Sequence, residues 1–124
     1  MDKNELQERM TAFAVRIIKM VDAMPSTVSG MAIAKQIVRS GTSPSANYRA
    51  ACIAKSDKDF VNKLKMVEEE LDETGHWLTL IIRSGLLKSS RVEPLYQECC
   101  ELMSIIVKSI ITTKNRMKAN DLEK

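Results

Sequence analysis

Four stretches of the chain repeat apolar residues at helical spacing. In the first, from about Asn4 to Met24, the residues Leu6, Met10, Phe13, Ile17, Met20 and Met24 follow alternating steps of four and three, which is one face of an α-helix. Ala14, Ile18 and Val21 widen that stripe. Asn4 is the expected cap, and Pro25 stops the helix because it pushes the residue before it out of the α region. Ser26 to Ser29 form a short link rich in capping residues. A second segment, about 29–55, carries Ala34, Ile37, Val38, Gly41, Tyr48 and Cys52 on its apolar side. Its middle, Ser40-Gly41-Thr42-Ser43-Pro44-Ser45-Ala46-Asn47, admits two readings. A loop splits the segment, or one long helix runs through with a kink at Pro44, which cannot donate to the carbonyl of Ser40. In the second case the small residues let another helix approach closely.

The third segment, about 57–84, has the clearest pattern. Ser56 and Asp59 resemble a capping box, and Phe60, Leu64, Val67, Leu71, Thr74, Leu78 and Ile81 follow in strict four-three steps. Gly85 stands where a helix ends in the left-handed conformation. Ser89, Ser90 and Pro94 open the fourth segment, about 91–118, where Tyr96, Cys99, Met103, Ile106, Ile110, Thr113 and Met117 repeat the spacing. Residues from Ala119 to Lys124 are expected to fray. Long helices joined by short links place sequence neighbours antiparallel. The prediction is a single all-α domain over residues 1–124, an up-down-up-down four-helix bundle. A repeat nearer 3.5 than 3.6 residues predicts left-handed packing.

The first and last segments carry more apolar residues than one seam needs. Ile17 with Ile18, Ile105-Ile106-Val107 and Ile110-Ile111 are adjacent, and adjacent helical residues diverge by about 100°. Two readings stay open: a wide buried face in a monomer, or a surface that recruits further copies. Composition agrees with a helical chain. Four Gly and three Pro are too few for an all-β fold with frequent turns. Aromatics are 4% of the chain, so Leu, Ile, Val, Met and Ala must fill the core.

No signal-like start and no uncharged apolar run of spanning length is present. Three cysteines, Cys52, Cys99 and Cys100, point to a reducing compartment rather than a disulfide framework, and a cytoplasmic location is expected. His76 is the only histidine. Glu73-Thr74-Gly75-His76 matches the Glu-x-x-His element of di-metal bundles, but that chemistry needs two copies and further Glu on the other helices. The side chains of Cys99 and Cys100 diverge around a helix. No nucleophile elbow, P-loop or dinucleotide-binding glycine pattern occurs. The expectation is a non-enzymatic protein without metal, cofactor or small-molecule substrate.

Charge is more informative in its placement than in its sum of +3. Between Ala23 and Ser56 there is no acid, only Lys35, Arg39, Arg49 and Lys55. Between Leu102 and Asn120 there is again none, only Lys108, Lys114, Arg116 and Lys118. The acids Glu68, Glu69, Glu70, Asp72 and Glu73 gather in the third segment. Two readings compete: a basic surface that holds the phosphates of RNA or DNA, or acidic and basic helices that pair with one another. No aromatic stacking platform accompanies the cations. Trp77, the only tryptophan, shares a helix face with Glu70 and Glu73 and is expected as a buried anchor.

The stretch Gln36-Ile37-Val38-Arg39-Ser40-Gly41-Thr42-Ser43-Pro44-Ser45-Ala46-Asn47 resembles the signature Q-x-x-R-S-x-x-S-I-x-x-N of the four helix bundle protein family, also called the 23S ribosomal RNA intervening-sequence protein family. Ser56, Asp59-Phe60, Lys63-Leu64, Glu70, Glu73-Thr74, Trp77-Leu78 and Gly85-Leu86 resemble its second conserved portion in order and spacing. The resemblance implies a left-handed antiparallel four-helix bundle that forms homo-oligomeric rings, with a pentamer expected. It also implies a bacterial source, and similarity to the accessory variability protein of diversity-generating retroelements, a basic ring that works with a reverse transcriptase and nucleic acid. In the family the first signature lies within the second helix, which favours the kinked or irregular helix at Pro44. Arg39, Ser40, Asn47, Glu70, Glu73 and Trp77 match the motif, and the resemblance implies polar and packing contacts that fix helix register or subunit contacts, not catalysis. The chain departs from the family at Pro44, where Ile is usual, and at Ala50-Ala51, where Glu-Gly is frequent.

Overall fold

A computed structural model describes residues 1–123. It holds four helices and, among the described residues, no strand: α1 (Lys3–Asp22), α2 (Val28–Cys52), α3 (Asp57–Ser84) and α4 (Ser89–Glu123). None is long and apolar enough to cross a membrane. α1 packs on α2, α2 on α3 and α3 on α4, while the contact that closes the bundle between α1 and α4 is the least extensive. Paired positions run in opposite order along α3 and α4. Asp57 meets Arg116 and Leu71 meets Cys99 across α3 and α4.

Side-chain oxygens set the helix starts. The carboxylate of Asp2, not Asn4, caps α1 by accepting from the Glu5 amide at 2.8 Å. Thr27 Oγ1 accepts from the amide of Gly30 at 3.1 Å, and Ser56 Oγ from that of Asp59 at 3.1 Å. Each satisfies one of the amides that a first helical turn leaves without a carbonyl partner. Gly85 ends α3 at φ +72°, where a side chain would be strained.

α2 is unbroken through Pro44, so the loop reading is overturned and the helix is continuous. Hydroxyls brace the stretch around the proline. Thr42 Oγ1 donates to the carbonyl of Val38 at 2.6 Å, Ser43 Oγ to that of Arg39 at 2.7 Å and Ser45 Oγ to that of Thr42 at 2.8 Å. Ser40, Gly41 and Pro44 are buried. A Cβ built on Gly41 would lie 2.8 Å from both Cγ atoms of Ile17, so the missing side chain is what lets α1 and α2 come this close.

The core follows the expected stripes with local shifts. In α3, Leu64, Val67, Leu71, Thr74, Leu78 and Ile81 are all buried, but at its start Val61 is buried where Phe60 was expected, and Phe60 is half-buried. In α4 the buried set is Val92, Leu95, Cys99, Leu102, Ile106, Ile110 and Thr113, so Leu95 and Leu102 face inward where Tyr96 and Met103 were expected. Those two are half-buried beside the core. The surplus apolar residues split as their angular divergence requires. Ile17 is buried while Ile18 is 44% exposed, and Ile110 is buried while Ile111 is 54% exposed. Ile105 and Val107, on either side of the buried Ile106, are half-buried.

α4 is longer than its sequence pattern suggests. Helix persists through Glu123, past the expected end at residue 118, and the described part of the Ala119–Lys124 segment is ordered helix; Lys124 lies outside the described residues. Because Arg116 already pairs with Asp57, the first residue of α3, and Met117 is the last residue packed against the core, the exposed residues from Lys118 to Glu123 project about 9 Å beyond the bundle.

Candidate functional site

Two constellations bring the singled-out residues together. The first lies on the seam between α2 and α3. Arg39 Nη1 donates to Glu70 Oε2 at 3.1 Å, its Nη2 donates to Glu73, and Trp77 Nε1 donates to the same Glu73 oxygen at 3.0 Å. Beneath them the hydroxyls of Ser40 and Thr74 meet at 3.0 Å, fully buried. Five of the six motif positions, Arg39, Ser40, Glu70, Glu73 and Trp77, thus sit on one seam. Asn47 is half-buried two turns further along α2 and outside this network. Trp77 is half-buried rather than fully enclosed, since its indole must reach a carboxylate one turn back on the rim. The indole hydrogen bond, with help from Arg39, holds the Glu73 carboxyl below its ordinary range despite some desolvation. The hydrogen bonds that Arg39 donates to Glu73 and Glu70 raise its affinity for its proton in turn. These contacts join α2 and α3 across the seam.

The second constellation is an open cleft of about 920 Å³ at the end of the bundle where α1 starts, α2 ends and α4 overhangs. It exists because α1 and α4 pack sparsely. Higher up they are tied by Arg9, which donates to Glu98 at 2.6 Å and also to Glu101. Below that clamp the helices leave a gap floored by Leu6, Tyr48, Ala51 and Ile105. Burial, with Cys52 next to it, pushes the Tyr48 hydroxyl well above its ordinary range, so it stays neutral. Lys3, Lys55, Lys108 and Arg116 line the cleft, and its only acids are Asp2 and Asp57. Arg116 pairs with Asp57 at 2.8 Å, and Lys3 Nζ lies 5.5 Å from the centre of the Phe60 ring. Lys55 and Lys108 are exposed and make no ion pair among the described residues.

The eight cations singled out by their acid-free surroundings therefore divide. Lys55, from the link between α2 and α3, meets Lys108 and Arg116, both from α4, at the cleft. Arg39 is engaged by two carboxylates of α3, and Lys35, Arg49, Lys114 and Lys118 are exposed outside the cleft. The pairing of acidic with basic helices holds for Arg39 and Arg116. Lys3 escaped notice because its neighbours in sequence are acids and amides; only the packing that brings the first turn of α1 to the same end of the bundle places it beside the others. Among the described residues no three His, Cys, Asp or Glu side chains gather to hold a metal ion. The three cysteines are free thiols.

No curated protein matches the chain. Among solved structures, a protein of unknown function from the S23 ribosomal protein family of Bacteroides thetaiotaomicron has 34% sequence identity and a TM-score of 0.82, covering 89% of this chain and 98% of that one. The family model of the 23S rRNA-intervening sequence protein matches residues 2–108, which take in α1, α2, α3, the whole Arg39–Trp77 seam and the upper part of α4. With its motif residues placed on one helix seam and its fold shared with that relative, the chain belongs to the 23S rRNA-intervening sequence protein family.

Proposed function

We propose that the protein is a non-catalytic helical-bundle scaffold in the cytoplasm, assembling into a homo-oligomer and binding the phosphates of RNA or DNA at its open end. The observation that carries the nucleic-acid part is the convergence of Lys3, Lys55, Lys108 and Arg116 around one cleft with only two acids among its lining residues. Phosphate binding by clustered cations releases counterions and needs no base-reading element. Assembly is supported by Ile18, Ile111, Val15 and Met31, large apolar side chains left exposed on the outer faces. A ring of five is the form the family resemblance implies, and a ring would multiply the cleft around its axis. A nucleic-acid enzyme such as a reverse transcriptase is the partner such a basic ring suits. A second reading, an interaction module without nucleic acid, is favoured by the same exposed apolar residues and by the engagement of Arg39 and Arg116 with carboxylates.

Fluorescence anisotropy with a structured RNA and a duplex DNA at about 50 mM salt tests the proposal. Binding is expected, and it weakens steeply as salt rises. Lys108→Ala lowers the slope of log affinity against log salt by about 1. No binding to either polymer at the lowest salt overturns the nucleic-acid reading and leaves the interaction module. Solution mass from light scattering tests assembly independently.

A further inference from the structure

The final described turns of α4 stand apart in three ways. They project past the bundle with no other helix beside them. Leu122 is 89% exposed. Asp121 and Glu123 are exposed acids on either side of it. Immediately beside this overhang lies a cleft with the complementary properties: an apolar floor of Leu6, Ala51 and Ile105, and the unpaired cations Lys55 and Lys108. A chain cannot fold its own α4 back into that cleft, because the helix is continuous through Glu123.

We infer that the overhang of α4 from a second copy occupies this cleft, and that the two copies exchange overhangs end to end about a two-fold axis. The two α4 helices then run side by side in opposite directions. Leu122 of each leaves water against the apolar floor, and Asp121 and Glu123 of each meet the lysines of the other. One symmetric contact covers both anomalies at once, and it closes rather than propagating. The contact is separate from the outer apolar faces invoked for assembly. It depends on residues beyond position 108, outside the span matched by the family model. Since the same lysines hold either occupant, a docked overhang and a bound phosphate backbone exclude one another, which makes the contact a cap on the cleft.

Cysteine cross-linking tests it. Leu122 and Thr112, a cleft-lining residue, are separated by about 15 Å along one helix, too far for a disulfide within a chain. In a Cys100→Ser background, the Leu122→Cys/Thr112→Cys protein is expected to form a covalent pair of chains under mild oxidation. In the protein free of added cysteines, Leu122→Asp halves the solution mass. Asp121→Lys/Glu123→Lys also halves it, and adding Lys55→Glu/Lys108→Glu restores it. Absence of the covalent pair together with an unchanged mass for Leu122→Asp overturns the inference. These readouts need no nucleic acid, so they fail or succeed independently of the phosphate-binding reading.

Discussion

The hydroxyls of Ser40 and Thr74 face each other at 3.0 Å across the seam of α2 and α3, and neither side chain reaches solvent. Thr74 Oγ1 also lies 2.7 Å from the carbonyl of Glu70. A hydroxyl has a single proton. The shorter contact takes it, so Thr74 donates to the Glu70 carbonyl and Ser40 donates to Thr74 Oγ1. That relay satisfies both groups inside an otherwise apolar core.

Removing one member strands the other. Thr74→Val is expected to cost about 1–3 kcal/mol in urea unfolding, because Ser40 is left buried without an acceptor. Ser40→Ala costs less, since Thr74 keeps its bond to the carbonyl. The double variant is expected to cost clearly less than the sum. Additive costs would mean the two hydroxyls do not interact.

Gly41 is the second close contact. Alanine is the better helix former by about 1 kcal/mol, so propensity alone predicts that Gly41→Ala stabilises. The Cβ would meet Ile17 at 2.8 Å, however, and overpacking of this kind costs about 1–3 kcal/mol. Net destabilisation is expected. In a double-mutant cycle, Ile17→Ala should absorb much of the Gly41→Ala cost. A stabilised Gly41→Ala protein would mean that α1 and α2 separate freely.

The seam also predicts a pH response. Glu73 has a lower proton affinity folded than unfolded, chiefly through the Trp77 hydrogen bond and then Arg39. Its contribution to stability is therefore complete above the ordinary carboxylate range and is lost as pH falls through the lower folded value. Trp77 emission should titrate below the ordinary carboxylate range. Glu73→Gln should abolish that transition, while His76→Gln, which removes the ring 5.2 Å from the indole, should leave it in place. A transition that survives Glu73→Gln would assign it to another group.

The neighbouring cysteines should react differently. Burial pushes the Cys99 thiol up to about 12, and its sulfur contacts the Leu71 carbonyl at 3.2 Å. Cys100 is exposed. Alkylation reports the thiolate, so iodoacetamide should modify Cys100 first and reach Cys99 only as fast as the protein unfolds. Equal rates in the native protein would contradict the burial of Cys99.

Much of the fold was legible in the four-three spacing. Leu64, Val67, Leu71, Thr74, Leu78 and Ile81 are buried as the pattern predicts, since the spacing is itself the geometry of one helix face. The stretch around Pro44 was not. Local propensity weighs a loop against a helix there. What decides it is the burial of Ser40, Gly41 and Pro44 between neighbours, and no local rule contains that. The motif seam was half legible. Arg39, Glu70, Glu73 and Trp77 stood out by their pattern, but their mutual bonds depend on how α2 and α3 are set against each other.

By itself the sequence determined four amphipathic helices, where most of them begin and end, and the family to which the chain belongs, because periodicity, caps and motif spacing are local properties. Only the tertiary structure decided which cations share a surface. Lys3, Lys55, Lys108 and Arg116 come from both ends of the chain and its middle, and they converge because α1 and α4 part below the Arg9 clamp. Charge attraction and repulsion act through space, and proximity in space is set by packing rather than by order along the chain.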